Sequence, residues 1–229
     1  MPADLDLSPL PRAVKAELRG LPADLAEKVG GHLLMAGQLI DTDPVEAQRY
    51  AAVARRHAAR LPVVREAAAE TAYAAEDFAA ALQDFRTLRR MTGSDEYLPV
   101  IADCLRALGK PDEALATARE GSGGRLPVAT RVELRIVEAG AREDLGQVAE
   151  AKRLLRKAWD AEHNSPAEVR ARLAYAYAAV LEREGNTADS RAWFARAADA
   201  DPEATDAADH LRVDRTDDIE VEFDAEGEE

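Results

Sequence analysis

Histidine, cysteine and paired acids are the residues that could carry covalent, metal or acid–base chemistry, and their spacing in this 229-residue chain does not favour it. His32, His57, His163 and His210 stand far apart, and none has a partner at the helical spacing of a metal site. Cys104 is the single cysteine, which excludes an internal disulfide and any cysteine-rich metal site. In the run IADCLRALG it falls on the apolar side of a helix and reads as a packing residue. Gly121-Ser122-Gly123-Gly124 has the glycines of a phosphate loop but no preceding strand and no Gly-Lys-Ser/Thr ending. Arg125-Leu126-Pro127 follow instead, so the segment reads as a flexible linker. Acid pairs such as Asp112 with Glu113 and Glu182 with Glu184 are expected by chance among 44 acids and read as solvated. The expectation is a non-enzymatic protein with no cofactor and no metal.

Arginine supplies a second kind of candidate. Arg55, Arg56, Arg60 and Arg65, then Arg86, Arg89 and Arg90, then Arg125, Arg131 and Arg135 recur near expected helix ends. They either merge into a basic stripe for an acidic partner, RNA or the chain's own tail, or snorkel from ordinary solvent-facing helices.

The elements that must position these side chains are helices. Alanine accounts for 49 residues, and it is the best helix former and a poor strand residue. Amphipathic stretches of 10 to 18 residues are separated by Gly, Pro, Ser and Asp, and no strand is evident in the body of the chain. Ser165-Pro166-Ala167-Glu168 reads as a capping box, and Thr42-Asp43-Pro44 with Glu46 as a similar start. Gly109, Gly146 and Gly185 each close a helix, and five residues after them come Ala114, Ala151 and Ser190. Ala81 and Ala47 extend that series backward at spacings near 34 residues. Ala69, Ala102, Ala139 and Ala178 stand twelve residues before four of these anchors, and Phe85, Ala118, Leu155 and Phe194 four residues after. Small residues at both helices of a pair let the backbones cross closely while a larger one fills the gap. Trp159, Trp193, Tyr50, Tyr73, Tyr175 and Tyr177 are expected to fill the alanine-rich interior.

With this pattern the chain resembles the tetratricopeptide repeat, a 34-residue helix–turn–helix unit with the signature W-x2-L-G-x2-Y, A-x3-F, P. Residues 172 to 204 carry it most clearly, through Tyr177, Ala178, Leu181, Ser190, Phe194, Ala197 and Pro202. Ala102, Leu105, Gly109 and Ala114 carry it in a second unit, and Ala139, Gly146, Ala151, Leu155 and Ala158 in a third. Glu76 departs from the pattern where a turn glycine is expected, and Arg142 where a large apolar residue is expected. The resemblance implies an all-α, right-handed α-solenoid of about five helix pairs over residues 23–204, after an N-terminal segment (1–22) with a capping helix near 11 to 19. At least three stacked pairs are needed to bury a continuous core.

The family resemblance also implies an interaction scaffold whose first helices line a concave groove. The groove positions are Glu66, Glu70, Tyr73, Asp103, Arg106, Glu133, Ile136, Arg172 and Tyr175. The expected role is a protein–protein interaction adaptor holding a peptide or helix of another protein. The alternative is a helical-repeat RNA binder that uses the arginine clusters, with the acidic tail as an autoinhibitory mimic.

Charge separates the tail from the body. The formal net charge is −14, and residues 199–229 hold 14 acids against Arg212 and Arg215. The body is therefore close to neutral, which opposes nucleic-acid binding. Residues 205–229 read as a disordered acidic tail in which Ile219, Val221 and Phe223 alternate with acids. It reads either as a solubilising appendage or as a strand that adds to a partner. No run approaches the ~20 apolar residues of a membrane helix, and the N-terminus lacks the apolar core of a secretory signal. A reducing, cytoplasmic setting and no membrane partner are the expectation.

Overall fold

A computed structural model describes residues 6–121 and 126–217. Its described residues form twelve α-helices and one short 3-10 turn, with no strand. Two compact units divide at Glu120 and Gly121, where the sequence pattern alone reads one repeat domain.

Unit 1 opens with α1 (Arg12–Leu18), the expected cap, and continues with α2 (Ala23–Leu39), α3 (Pro44–Ala58), α4 (Pro62–Ala74) and α5 (Phe78–Thr92). After a 3-10 turn (Asp95–Tyr97) come α6 (Leu98–Ala107) and α7 (Pro111–Glu120). Consecutive helices pack on one another as antiparallel pairs, α2 with α3, α4 with α5 and α6 with α7. Leu10 and Leu18 join Val29, Leu33, Leu34, Ala54, Ala58 and Val64 in the core of the first pair. Gly30 makes that closure possible, because a Cβ there would lie 3.2–3.3 Å from the methyls of Leu7, Leu10 and Leu18.

Unit 2 contains α8 (Val128–Asp144), α9 (Val148–Ala161), α10 (Ala167–Arg183), α11 (Thr187–Ala200) and α12 (Ala207–Asp217). Here α8 pairs with α9 and α10 with α11, and α12 packs on α11. The long connectors expected near 121 to 127 and 161 to 166 coincide with the breaks before α8 and α10.

The repeat anchors are the core. Ala47, Ala81, Ala114, Ala151 and Ser190 are at most 2% exposed, and so are Ala69, Ala102, Ala139 and Ala178. Phe85, Ala118, Leu155 and Phe194 are buried beside them. Four of the five pairs turn through one left-handed residue: Gly109 (φ +71), Gly146 (φ +73), Gly185 (φ +78) and, in place of glycine, Glu76 (φ +58). The four turns close alike, with the next amide donating to a carbonyl five residues back: Asp77 to Ala72, Lys110 to Leu105, Gln147 to Arg142 and Asn186 to Leu181.

Two local expectations are corrected. Asp43 does cap α3, accepting from the Glu46 amide at 3.0 Å. Ser165 does not cap α10; the helix starts after Pro166, and the Ser165 hydroxyl donates to Glu162 at 2.6 Å. A carboxylate within reach draws that hydroxyl into a charge-assisted bond and away from the helix end. The segment from 205 is not all tail, because Ala207–Asp217 form α12 with Ala207 buried in the core of the last pair. Ala207 and Leu211 supply the apolar positions that a charge count passes over. Ile219, Val221, Phe223 and the rest of residues 218–229 lie outside the described residues.

Candidate protein-binding faces

In unit 1, the inward alanines Ala69 and Ala102 orient the first helices α4 and α6, so Glu66, Glu70 and Tyr73 fall at i, i+4 and i+7 on α4. Two side-chain bonds tie the helices together across this face. Tyr73 Oη donates to Asp103 Oδ2 at 2.6 Å, and Tyr97 Oη donates to Glu66 Oε1 at 3.0 Å. Arg106 Nη1 completes the Asp103 carboxylate at 3.1 Å. Burial, with the accepting carboxylate second, raises both phenols, Tyr97 up to about 12. Glu70 is exposed at its surface, yet its carboxyl is held above the usual carboxylate range, first because protein crowds it and second by the Glu66 charge. Of the five sequence-chosen residues of unit 1, Tyr73, Asp103 and Arg106 are joined directly, and Glu66 lies beside Glu70 and pairs with Tyr97, which nothing in the repeat pattern singles out.

In unit 2, Arg172 on α10 makes a two-pronged ion pair with Glu133 on α8, including Nη2 to Oε2 at 2.6 Å. That bond raises the guanidinium of Arg172. Arg183 on α10 and Glu143 on α8 repeat the arrangement about three helical turns on, at 2.7 Å. Ile136 is partly buried against the unit 2 core. Tyr175 is hydrogen-bonded to His210 of α12 at 3.2 Å, and its phenol is raised to about 12 by burial first and by a bond to Asp206 second. Glu133 and Arg172 therefore meet, whereas Tyr175 belongs to the contact with α12.

The arginine clusters separate into different roles. Arg55 and Arg65 both turn to Asp84, a carboxylate 1% exposed on α5. Arg89 binds Asp95 and Glu120, Arg131 binds Glu162, and Arg135 binds Glu138. Arg86 lies 3.8 Å from Glu113. Arg90 donates to Thr87, and Arg56 and Arg60 are exposed with no ion pair among the described residues. Arg125 lies outside the described residues. Arg142, where an apolar residue is expected, directs its charge to the buried Glu138 at 3.5 Å and to Gln147 at 3.1 Å.

The remaining candidates are accounted for by packing. Cys104 is fully buried, and burial first and Asp103 second push its thiol up to about 12. His210 stacks on Phe194 with ring centroids 4.1 Å apart. Trp159 and Trp193 meet edge to face at 5.1 Å, with Arg170 over the first ring and Arg196 over the second. Among the described residues no three His, Cys, Asp or Glu side chains could hold a metal ion. No helix among them is long and apolar enough to cross a membrane.

No protein-family model matches the chain, and no curated protein sequence matches it. Solved structures do. The thermophilic tetratricopeptide protein TTC0263 of Thermus thermophilus is 17% identical, with a TM-score of 0.62, over 82% of this chain and 99% of that one. YrrB, a tetratricopeptide protein with an unusual peptide-binding site, is 16% identical, with a TM-score of 0.46, over 80% of this chain and 91% of that one. The buried small-residue anchors, the left-handed turns and the likeness to TTC0263 agree: this chain has the all-α helical-repeat fold of tetratricopeptide proteins.

Proposed function

We propose that the protein is a non-enzymatic interaction scaffold and that the α4–α6 face of unit 1 holds a cationic peptide or helix of another protein. The observation that carries this reading is the charge state of that face. Glu66 accepts a neutral phenol rather than a cation, and Glu70 has no ion pair among the described residues. Asp103 alone is matched, by Arg106. A rigid face with surplus negative charge favours lysine and arginine side chains and steers their approach. The Glu133–Arg172 and Glu143–Arg183 pairs of unit 2 are internally neutralised and offer a partner less. The pairing of Arg55, Arg65, Arg89, Arg131 and Arg135 with carboxylates works against the RNA-binding alternative, because phosphate binding draws on unpaired cations.

Selection of random peptides on the intact chain tests the reading. Sequences rich in lysine and arginine are expected, with binding that weakens at high salt. Glu66→Gln with Glu70→Gln should reduce affinity at least tenfold while far-UV circular dichroism stays unchanged. Enrichment of no sequence class, or equal binding by the double variant, would sink it.

A further inference from the structure

Where α5 ends, a recess of about 410 Å³ is walled by Arg86, Arg89 and Arg90, with Gly93 and Asp95. Gly93 is left-handed (φ +68), and nothing lies within 4 Å of where its Cβ would be, so the recess is open beside the backbone. The three guanidiniums are not equivalent. Arg89 is committed, its Nε to Asp95 at 2.9 Å and its Nη1 to Glu120 at 2.7 Å. Arg86 has one carboxylate, Glu113, at 3.8 Å, too far for a hydrogen bond. Arg90 donates to the Thr87 hydroxyl at 3.1 Å and faces no carboxylate among the described residues.

Arg86 and Arg90 stand at i and i+4 of one helix, a spacing at which like charges repel. The negative end of the α5 dipole offsets part of that repulsion. The three acids nearby do not remove it, since Asp95 and Glu120 are taken up by Arg89, and Glu113 is shared with Lys110 at 3.1 Å. Arg86 and Arg90 therefore line an open recess as partly satisfied guanidiniums, while Arg89 is held by Asp95 of the same wall and by Glu120.

We propose that Arg86 and Arg90 bind a phosphate group in this recess. A tetrahedral dianion accepts from two planar guanidiniums at once, with charge-assisted bonds that a carboxylate at 3.8 Å does not provide. The volume exceeds that of one phosphate, which leaves room for the ester it is carried on. This site is separate from the α4–α6 face and does not depend on it.

Titration of the full chain with inorganic phosphate and with N-acetyl-O-phosphoserine amide, followed by the arginine Nε–Hε resonances, tests the proposal. Saturable shifts at Arg86 and Arg90 are expected at constant ionic strength, absent with sodium chloride or acetate. Arg86→Gln with Arg90→Gln should weaken binding at least tenfold, whereas Arg119→Gln, an exposed arginine on α7, should leave it unchanged. Saturation by both probes supports a phosphate carried on a partner, and saturation by inorganic phosphate alone supports a free anion. Equal shifts with chloride, or full binding by the double variant with its circular dichroism intact, would overturn the proposal.

Discussion

Arg55 on α3 and Asp84 on α5, 29 residues apart in sequence, form an ion pair whose carboxylate is 1% exposed. Arg65 on α4 reaches the other oxygen of the same carboxylate at 2.6 Å, so three helices from two successive pairs share one buried charge. Removing the acid would leave two arginines facing each other without their shared partner, Arg65 largely out of water. Asp84→Ala is therefore expected to destabilise unit 1 by about 3–5 kcal/mol. Arg86→Ala, on the same helix but exposed, should change stability by less than about 1 kcal/mol. Thermal or urea unfolding followed by circular dichroism checks both.

Glu76 holds the left-handed turn that glycine holds in three other pairs, and a side chain in that region costs about 1–2 kcal/mol in backbone strain. Part of that strain is offset by glycine's greater freedom in the unfolded chain. Glu76→Gly is expected to stabilise the protein by about 0.5–1 kcal/mol, and Gly185→Ala to destabilise it by a similar amount. A rise in the unfolding midpoint for the first and a fall for the second is the measurable outcome.

Tyr73, Tyr97 and Tyr175 all have phenols raised above the ordinary value of 10, Tyr97 and Tyr175 to about 12. A folded-state pKa above the unfolded one means the native protein binds more protons between the two values. The stabilising contribution is thus complete below pH 10 and is lost as pH rises toward 12. Ultraviolet titration should show the phenols of Tyr73, Tyr97 and Tyr175 ionising above the ordinary value of 10. Tyr97→Phe should flatten the pH dependence of stability in that window.

The two units carry separate built-in probes. Cys104, fully buried with its thiol pushed up to about 12, lies in unit 1, and both tryptophans lie in unit 2. In the native protein at about pH 8, a disulfide-exchange reagent should leave Cys104 unmodified, and denaturant should release it. Leu105→Ala, beside it in the unit 1 core, should speed that reaction, with a cost of about 2–5 kcal/mol. Leu173→Ala should instead lower the midpoint reported by tryptophan emission.

Much of the helical framework is legible in the residues themselves. The anchors from Ala47 to Ser190 and the turns at Gly109, Gly146 and Gly185 follow from local rules: helix propensity, the need for close crossing, and the steric freedom of a left-handed residue. Such rules act within a few residues, so spacing along the chain specifies the pairs, and even the substitution at Glu76 keeps the same turn. Charged side chains obey no such range. Arg55 finds Asp84, Tyr73 finds Asp103 and Arg172 finds Glu133 at separations of 29, 30 and 39 residues, roughly one repeat away, once adjacent helices are in place. Whether an arginine joins a basic surface or an internal pair therefore depends on helix register, as do the fate of the Ser165 hydroxyl and the docking of α12. Residue order is enough to specify the helix pairs and their buried seams. Which charges remain for a partner is settled by the packed helices, because an ion pair forms between neighbours in space.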